Sequence, residues 1–235
     1  MIVVTSTFTI DSLPPALHAL MLAAAFATLP EYAHASRNLW TTLKEERLAD
    51  HALDSPRLSS LASALLELST TLDARGDYGL LAKTVAHAQL LGLHIDCQHW
   101  AIPRWEKSLR ERIWWCLRIH DAWSSFLSSR PSHIQAGNAN TRQIPPPTSH
   151  DAAEDYRGAL SFNYLCRLST VVAKLQGQVS ILDSYGTRGR VQACNQLEIE
   201  LDELKAEAAG QFALGMRESG MGKSNTSGGL GLSEH

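Results

Sequence analysis

The sequence predicts an all-α fold, a multi-helix bundle-like domain of about seven helices with a disordered C-terminal tail. Three observations favour this class. Apolar residues recur at helical spacing through most of the chain, alternation with a period of two is confined to the first ten residues, and prolines and glycines fall between the periodic segments. With 235 residues, 44% of them hydrophobic, the chain is long enough to bury one sizeable core.

Two helices are expected near the N-terminus, over residues 16–29 and 35–49. The first is apolar and opens with prolines, which suit a first helical turn, and the second has leucines on one side and "KEER" on the other. No Lys or Arg precedes Arg37, and the apolar run is too short to span a bilayer. We therefore expect neither a signal peptide nor a membrane segment.

The sequence of the middle of the chain predicts three successive helices. A third helix over 58–72 carries a stripe of leucines on one face. After a loop at "DARGDYG", we expect Asp77 to cap a fourth helix that runs to residue 91, where Gly92 supplies a left-handed stop. Pro103 then starts a central helix to about Phe126, with an acidic residue in its first turn that favours the helix dipole.

The remaining chain predicts a proline-bearing irregular segment and two further helices, over 159–182 and 190–209. The last helix has apolar residues at coiled-coil spacing, but its two heptads are too few to stand alone, so we expect it to pack against the preceding helix. From Gly210 the sequence is rich in glycine and serine and predicts disorder. The expected organisation is one domain over 1–150, continued by the helices of 151–209, and a tail over 210–235.

The charge and the cysteines exclude several classes of protein. The formal net charge is -3 and the pI is near 6.4, which argues against nucleic-acid binding by bulk electrostatics. Only 19% of residues are charged, which indicates surface that is covered by a partner or by other parts of the same protein. No two of the four cysteines lie closer than 19 positions, so neither a zinc half-site nor a disulfide framework is present in the pattern. Reduced, buried thiols are expected.

One cluster of chemistry-bearing residues leaves an alternative open. The segment "HIDCQH" contains His94, Cys97 and His99, on which a metal-binding or hydrolytic helical enzyme could be centred. Structural zinc sites need four ligands, usually in pairs, and no second pair answers this cluster. No nucleophile elbow occurs in the chain either. We therefore expect no catalytic, cofactor-binding or metal-binding residue, and no enzymatic activity.

The stretch "RERIWWCLRIHD" is apolar on most faces of the central helix, which is typical of a buried helix. Burying one indole contributes roughly 2–3 kcal/mol, which favours core packing as the role of these tryptophans. Because adjacent helical side chains point in different directions, we expect Trp114 and Trp115 to join the helix to two neighbours. Asp121 lies one turn beyond Leu117, on a partly buried side. A buried carboxylate needs donors, so we predict hydrogen bonds to Asp121 from the "SSRPS" turn or from Arg130.

Two segments, "LLAKTVAHAQLLGLHID" and "WEKSLRERIWWCLRIHDAWSSFLSSRPSHI", together resemble the middle homology region of fungal zinc-cluster (Zn2Cys6) transcription factors, the regulatory domain of the xylanolytic-activator type. The family pattern is L-G-L-H-x-D, then E-x-x-x-R-x-R-x-W-W-x-x-x-x-x-D, then G-R-P. The resemblance covers about residues 12–150, and more loosely the helices to 209. The family glycine before R-P is Ser129 here. The residues that carry the match are Gly92, His94, Asp96, Arg110, Arg112, Trp114, Trp115, Asp121, Arg130 and Pro131.

The resemblance implies a nuclear regulator of transcription that works without catalysis. Its partners would be co-regulator proteins, an effector or a full-length transcription factor, and a dimer is a further expectation. The six-cysteine zinc cluster is absent from the sequence. Zinc, and contact with DNA, are therefore expected only through a missing N-terminal module, and the chain would be a regulatory fragment, a shortened gene product or a paralogue without its DNA reader. An adaptor that lacks DNA binding is the remaining alternative.

Overall fold

The computed structural model describes residues 54–70, 74–135, 137–147, 153–180 and 187–221, together with Asn38 and Thr42. All regular secondary structure in these ranges is helical, which confirms the all-α class, but they hold five helices and not about seven. The predicted helices over 16–29 and 35–49 lie outside these ranges, apart from Asn38 and Thr42, which are helical. The five helices are α1 (Leu58–Thr70), α2 (Ala74–Leu90), α3 (Arg104–Ser128), α4 (Ala153–Ser180) and α5 (Thr187–Met221).

The chain divides into two compact units, Met1–Ile144 and Pro145–His235. Whether residues 151–209 continue one domain, as the sequence analysis expects, stays a prediction. In the first unit, α1, α2 and α3 each contact the other two. They meet through residues that recur every three or four positions, so that each helix turns one apolar stripe inward. The buried members of this core are Leu61, Ala64, Leu65, Leu68, Leu81, Val85, Ala88, Leu93, Ile113, Trp114 and Leu117.

Helix α2 begins earlier than predicted and ends at Leu90, one residue before the predicted end. It starts at Ala74, so the expected loop and the expected cap at Asp77 are wrong; the carboxylate lies in the first turn, where it still favours the helix dipole. Beyond the C-terminus, Gly92 has a φ of 73°, and the next amide, of Leu93, donates to the carbonyl of Ala88 at 2.9 Å. This left-handed stop is a Schellman motif, which confirms the predicted role of the glycine.

Helix α3 begins at Arg104, directly after Pro103, and ends at Ser128, two residues beyond the predicted end. Its stop repeats the motif that ends α2, with Ser129 in the left-handed region at a φ of 52°. The amide of Arg130 donates to the carbonyl of Ser125 at 3.0 Å. A serine therefore adopts here the conformation for which glycine is the favoured residue.

The second unit contains α4 and α5, which pack against each other as predicted. The rings of Tyr164 and Phe212 have centroids 5.9 Å apart, and Arg167 donates to both carboxylate oxygens of Glu207 at 2.7 Å. The prediction of disorder from Gly210 is wrong as far as Met221, because α5 continues to that residue. Phe212 packs against Tyr164 of α4 there, and this tertiary contact supports the helix beyond Gly210. Residues 222–235 lie outside the described ranges. None of the described helices is both long and apolar enough to cross a bilayer.

Candidate functional site

The two adjacent tryptophans of α3 face different surroundings. Trp114 is completely buried in the core that α1, α2 and α3 share. Trp115 is also buried, but its indole Nε1 donates to the carbonyl of Arg142 at 2.9 Å, in the irregular segment after α3. The guanidinium of Arg118 lies 4.3 Å from the centre of the Trp115 ring. Successive helical side chains point about 100° apart, so one indole packs into the bundle while the other fastens the irregular segment to it.

Asp121 is buried, with 2% of its surface exposed, and accepts hydrogen bonds from the turn that follows α3. The hydroxyl of Ser132 donates to Oδ2, the amide of His133 donates to Oδ1 at 2.9 Å, and the amide of Ile134 donates to Oδ2 at 3.0 Å. The sequence predicts donors from the "SSRPS" turn or from Arg130; Ser132, the last residue of that turn, is one of the donors, and the other two, His133 and Ile134, follow it directly. We call residues 129–135 the α3 turn; its conformation is held by one buried acceptor.

Tyr78 of α2 contacts the α3 turn from the other side. Its hydroxyl donates to the carbonyl of Pro131 at 3.3 Å, and the guanidinium of Arg130 lies 4.9 Å from its ring centre. The imidazole of His133 is 4.2 Å from the same ring. Sequence reasoning missed Tyr78 because it assigned this residue to a loop. No local signal points to this contact, because Pro131 lies 53 positions away in the sequence.

The connector between α2 and α3 is joined to the irregular segment by Asn140. The carbonyl of His94 accepts from the amide of Asn140 at 3.0 Å, and the side-chain oxygen of Asn140 accepts from the amide of Asp96 at 2.9 Å. The carboxylate of Asp96 accepts in turn from the amide of Gln98 at 3.0 Å, which makes a local turn. The hydrogen bonds of His94 and Asp96 thus hold the connector against the irregular segment. No sequence signal identified Asn140 as their partner.

Arg110 links α3 to the end of α2. Its Nε donates to Glu106 at 2.9 Å, one turn earlier, and its NH1 donates to the carbonyl of Leu91 at 3.0 Å. Its guanidinium also lies 5.3 Å from the ring of Trp100. Arg112 is half-buried on the same helix, where its positive charge opposes the rise in the pKa of the Cys116 thiol that burial causes. Burial is the larger effect and raises that pKa to about 11.

His94, Cys97 and His99, on which the alternative enzyme hypothesis is centred, differ in burial and in contacts. Cys97 is buried, its Sγ lies 3.9 Å from the carbonyl of Lys107, and burial raises the pKa of its thiol. His94 is half-buried and His99 is exposed. Within the ranges that the structure describes, no three His, Cys, Asp or Glu side chains form a group that could hold a metal ion.

A further histidine, His120 on α3, lies where all three helices of the first unit approach one another. Its Nε2 is 3.3 Å from the hydroxyl of Ser69 on α1, and that hydroxyl donates to the carbonyl of Leu65 at 2.7 Å. Burial lowers the pKa of His120, while the charge of Asp77 on α2 acts in the opposite direction. The pair thus joins the end of α1 to the middle of α3, and the Ser69 proton is used in the hydrogen bond to Leu65 of the same helix.

No family model matches the chain, and no solved structure matches it. The chain is 35% identical over 82 residues to the transcriptional activator protein DAL81 of Saccharomyces cerevisiae; this region is 35% of the chain and 8% of that protein. It is 40% identical over 101 residues to the uncharacterized transcriptional regulatory protein C25B8.11 of Schizosaccharomyces pombe, which is 42% of the chain and 15% of that protein. The chain resembles fungal transcriptional regulators.

This similarity confirms the resemblance that the motif residues predicted. Both relatives are named as regulators of transcription, and neither name describes an enzyme. The chain spans only a small part of each relative's length, 8% and 15%. In the structure, the indoles, carboxylates and arginines of the motif make their contacts inside the first unit.

Proposed function

We propose that the chain is the regulatory, non-DNA-reading part of a fungal transcription factor. It acts in the nucleus, without catalysis, by binding a co-regulator protein or an effector. The observation that carries this proposal is the similarity to two fungal regulators of transcription. In this proposal, DNA contact and zinc belong to a six-cysteine module outside the sequence, because the spacing of the four cysteines does not suit a zinc cluster.

The use of the motif side chains supports a scaffold role rather than a reactive one. The indole N–H of Trp115, the carboxylate of Asp121 and the guanidinium of Arg110 all have partners within the first unit. Binding is therefore assigned to the outer surface. Leu90, at the end of α2, and Leu127, at the end of α3, are each 75% exposed.

The test is a tethering experiment. The chain is fused to a bacterial DNA-binding domain in yeast, and transcription of a reporter that carries the matching operator is measured against the DNA-binding domain alone. We expect the fusion to change reporter transcription severalfold. The Asp121→Ala variant should lose this effect because it loses the α3 turn.

Asp54→Ala is the matched control, because Asp54 is an exposed carboxylate of the same unit. It should behave as the unaltered chain. A reporter that does not respond, with the Asp54→Ala and unaltered fusions present in the nucleus at equal amounts, contradicts the proposal. Capture of a full-length regulator by such an inert chain would identify an adaptor instead.

A further inference from the structure

Ser132 combines an exposed position with a contact to a buried charge. It lies in the α3 turn, outside any helix, and its residue surface is exposed. Its hydroxyl nevertheless donates to Oδ2 of Asp121, which is buried. The same oxygen of Ser132 accepts from the amide of Ile134 at 3.2 Å. One accessible side chain thus lies next to the acceptor that holds the whole turn.

We propose that Ser132 is a phosphorylation site and that its modification opens the α3 turn. The γ-phosphoryl group of a nucleoside triphosphate is transferred by a protein kinase. A bond forms between the serine Oγ and the γ-phosphorus, the bridging bond to the β-phosphate breaks, the diphosphate leaves, and the hydroxyl proton passes to the base of the kinase. The proposal goes beyond the transcriptional role and does not depend on it.

The surrounding sequence fits a kinase that reads a basic residue. Arg130 precedes the serine by two positions, and Pro131 between them favours an extended backbone. In the closed turn Arg130 lies over the ring of Tyr78. When the turn opens, arginine and serine become available together to a substrate groove that carries negative charge. Such opening is expected of a turn on the surface.

The charge of the phosphate determines the consequence. A phosphoserine carries between one and two negative charges at neutral pH, and its esterified Oγ no longer has a proton to donate to Asp121. Two negative groups would then lie within a few ångströms of each other, one of them buried, and the repulsion is large at that depth. The turn must move away from Asp121 to separate them. The amides of His133 and Ile134, which donate to the carboxylate now, would then face water.

The first test measures this opening directly. Phosphoserine is incorporated at position 132 during synthesis, and hydrogen exchange of the His133 and Ile134 amides is followed by NMR. Ser132→Asp and Ser132→Asn form the matched pair, because they differ in charge and hardly in size. We expect exchange on the order of 100-fold faster for phosphoserine and Asp than for Asn. Equal exchange in phosphoserine and Asn proteins would show that charge does not open the turn.

The second test asks whether the site is used. The full chain is expressed in fungal cells and its phosphate is mapped by mass spectrometry. We expect phosphate on Ser132, and a severalfold lower occupancy in the Arg130→Gln variant. If phosphate is found only on other hydroxyls, or is absent, the proposal is overturned. If Arg130→Gln keeps full occupancy at Ser132, the inference of a kinase that reads a basic residue is wrong. These results leave the tethering experiment unaffected, so the two proposals fail separately.

Discussion

Replacing Asp121 with alanine should destabilise the first unit strongly. The substitution removes the acceptor of three donors: the hydroxyl of Ser132 and the amides of His133 and Ile134. A hydrogen bond to a charged group contributes about 1.5–3 kcal/mol, but these donors lie near the surface and recover part of this from water. We therefore expect a loss of about 3 kcal/mol in the free energy of unfolding. At roughly 2–4 °C per kcal/mol, the melting temperature should fall by about 6–12 °C.

The assay is thermal unfolding followed by circular dichroism, repeated in urea to obtain the free energy of unfolding. Asp121→Asn keeps the size of the side chain and one accepting oxygen, so it should lose about half as much. Asp54→Ala, whose side chain is 74% exposed, should stay within about 0.5 kcal/mol of the unaltered chain. If Asp121→Ala melts together with Asp54→Ala, the carboxylate does not hold the turn and the argument is refuted.

Three further predictions concern the helix ends and the thiols. Gly92→Ala should lower the free energy of unfolding by about 1–2 kcal/mol, because φ is positive and an added Cβ would lie 3.1 Å from a carbon of Trp100. Gly79→Ala, in open space within α2, should raise it by about 0.5–1 kcal/mol, and urea unfolding of both variants checks these values. Ser129→Gly should stabilise the chain by about 0.5–1 kcal/mol in the same assay, and a loss of stability would contradict the strain assigned to its left-handed backbone. In iodoacetamide labelling at pH 8, the half-buried Cys116, whose pKa burial raises to about 11, should react about 100-fold more slowly than the exposed Cys194. Equal rates would contradict the raised pKa.

The sequence predicts α3 to within two residues because the signals for that helix are local. Pro103 fixes its start, and the apolar pattern around Trp114 continues without interruption. The buried side of Asp121 and its donors in the following turn are also local, since they lie within 13 residues of each other. Gly92 is predicted as a left-handed stop for the same reason.

What the sequence does not predict depends on contacts between distant residues. Helix α2 begins at Ala74, and its first turn carries Tyr78, whose partner Pro131 lies 53 positions away. Helix α5 extends into a segment whose glycines indicate disorder, where Phe212 packs against Tyr164 of α4. Local propensity is weak in both places, and tertiary packing decides the outcome.

The most direct test of the central claim is the solvent exposure of the first indole of the pair. The chain is labelled with 5-fluorotryptophan, the ¹⁹F resonances are assigned by single Trp→Phe substitutions, and each resonance is recorded in H2O and in D2O. Trp105 provides the internal reference, because it is 55% exposed while Trp114 is completely buried. If Trp114 is interior scaffold, the change of solvent shifts the Trp105 resonance and leaves that of Trp114 in place. If the two resonances shift equally, Trp114 lines an open cleft, and the scaffold account of this domain is wrong.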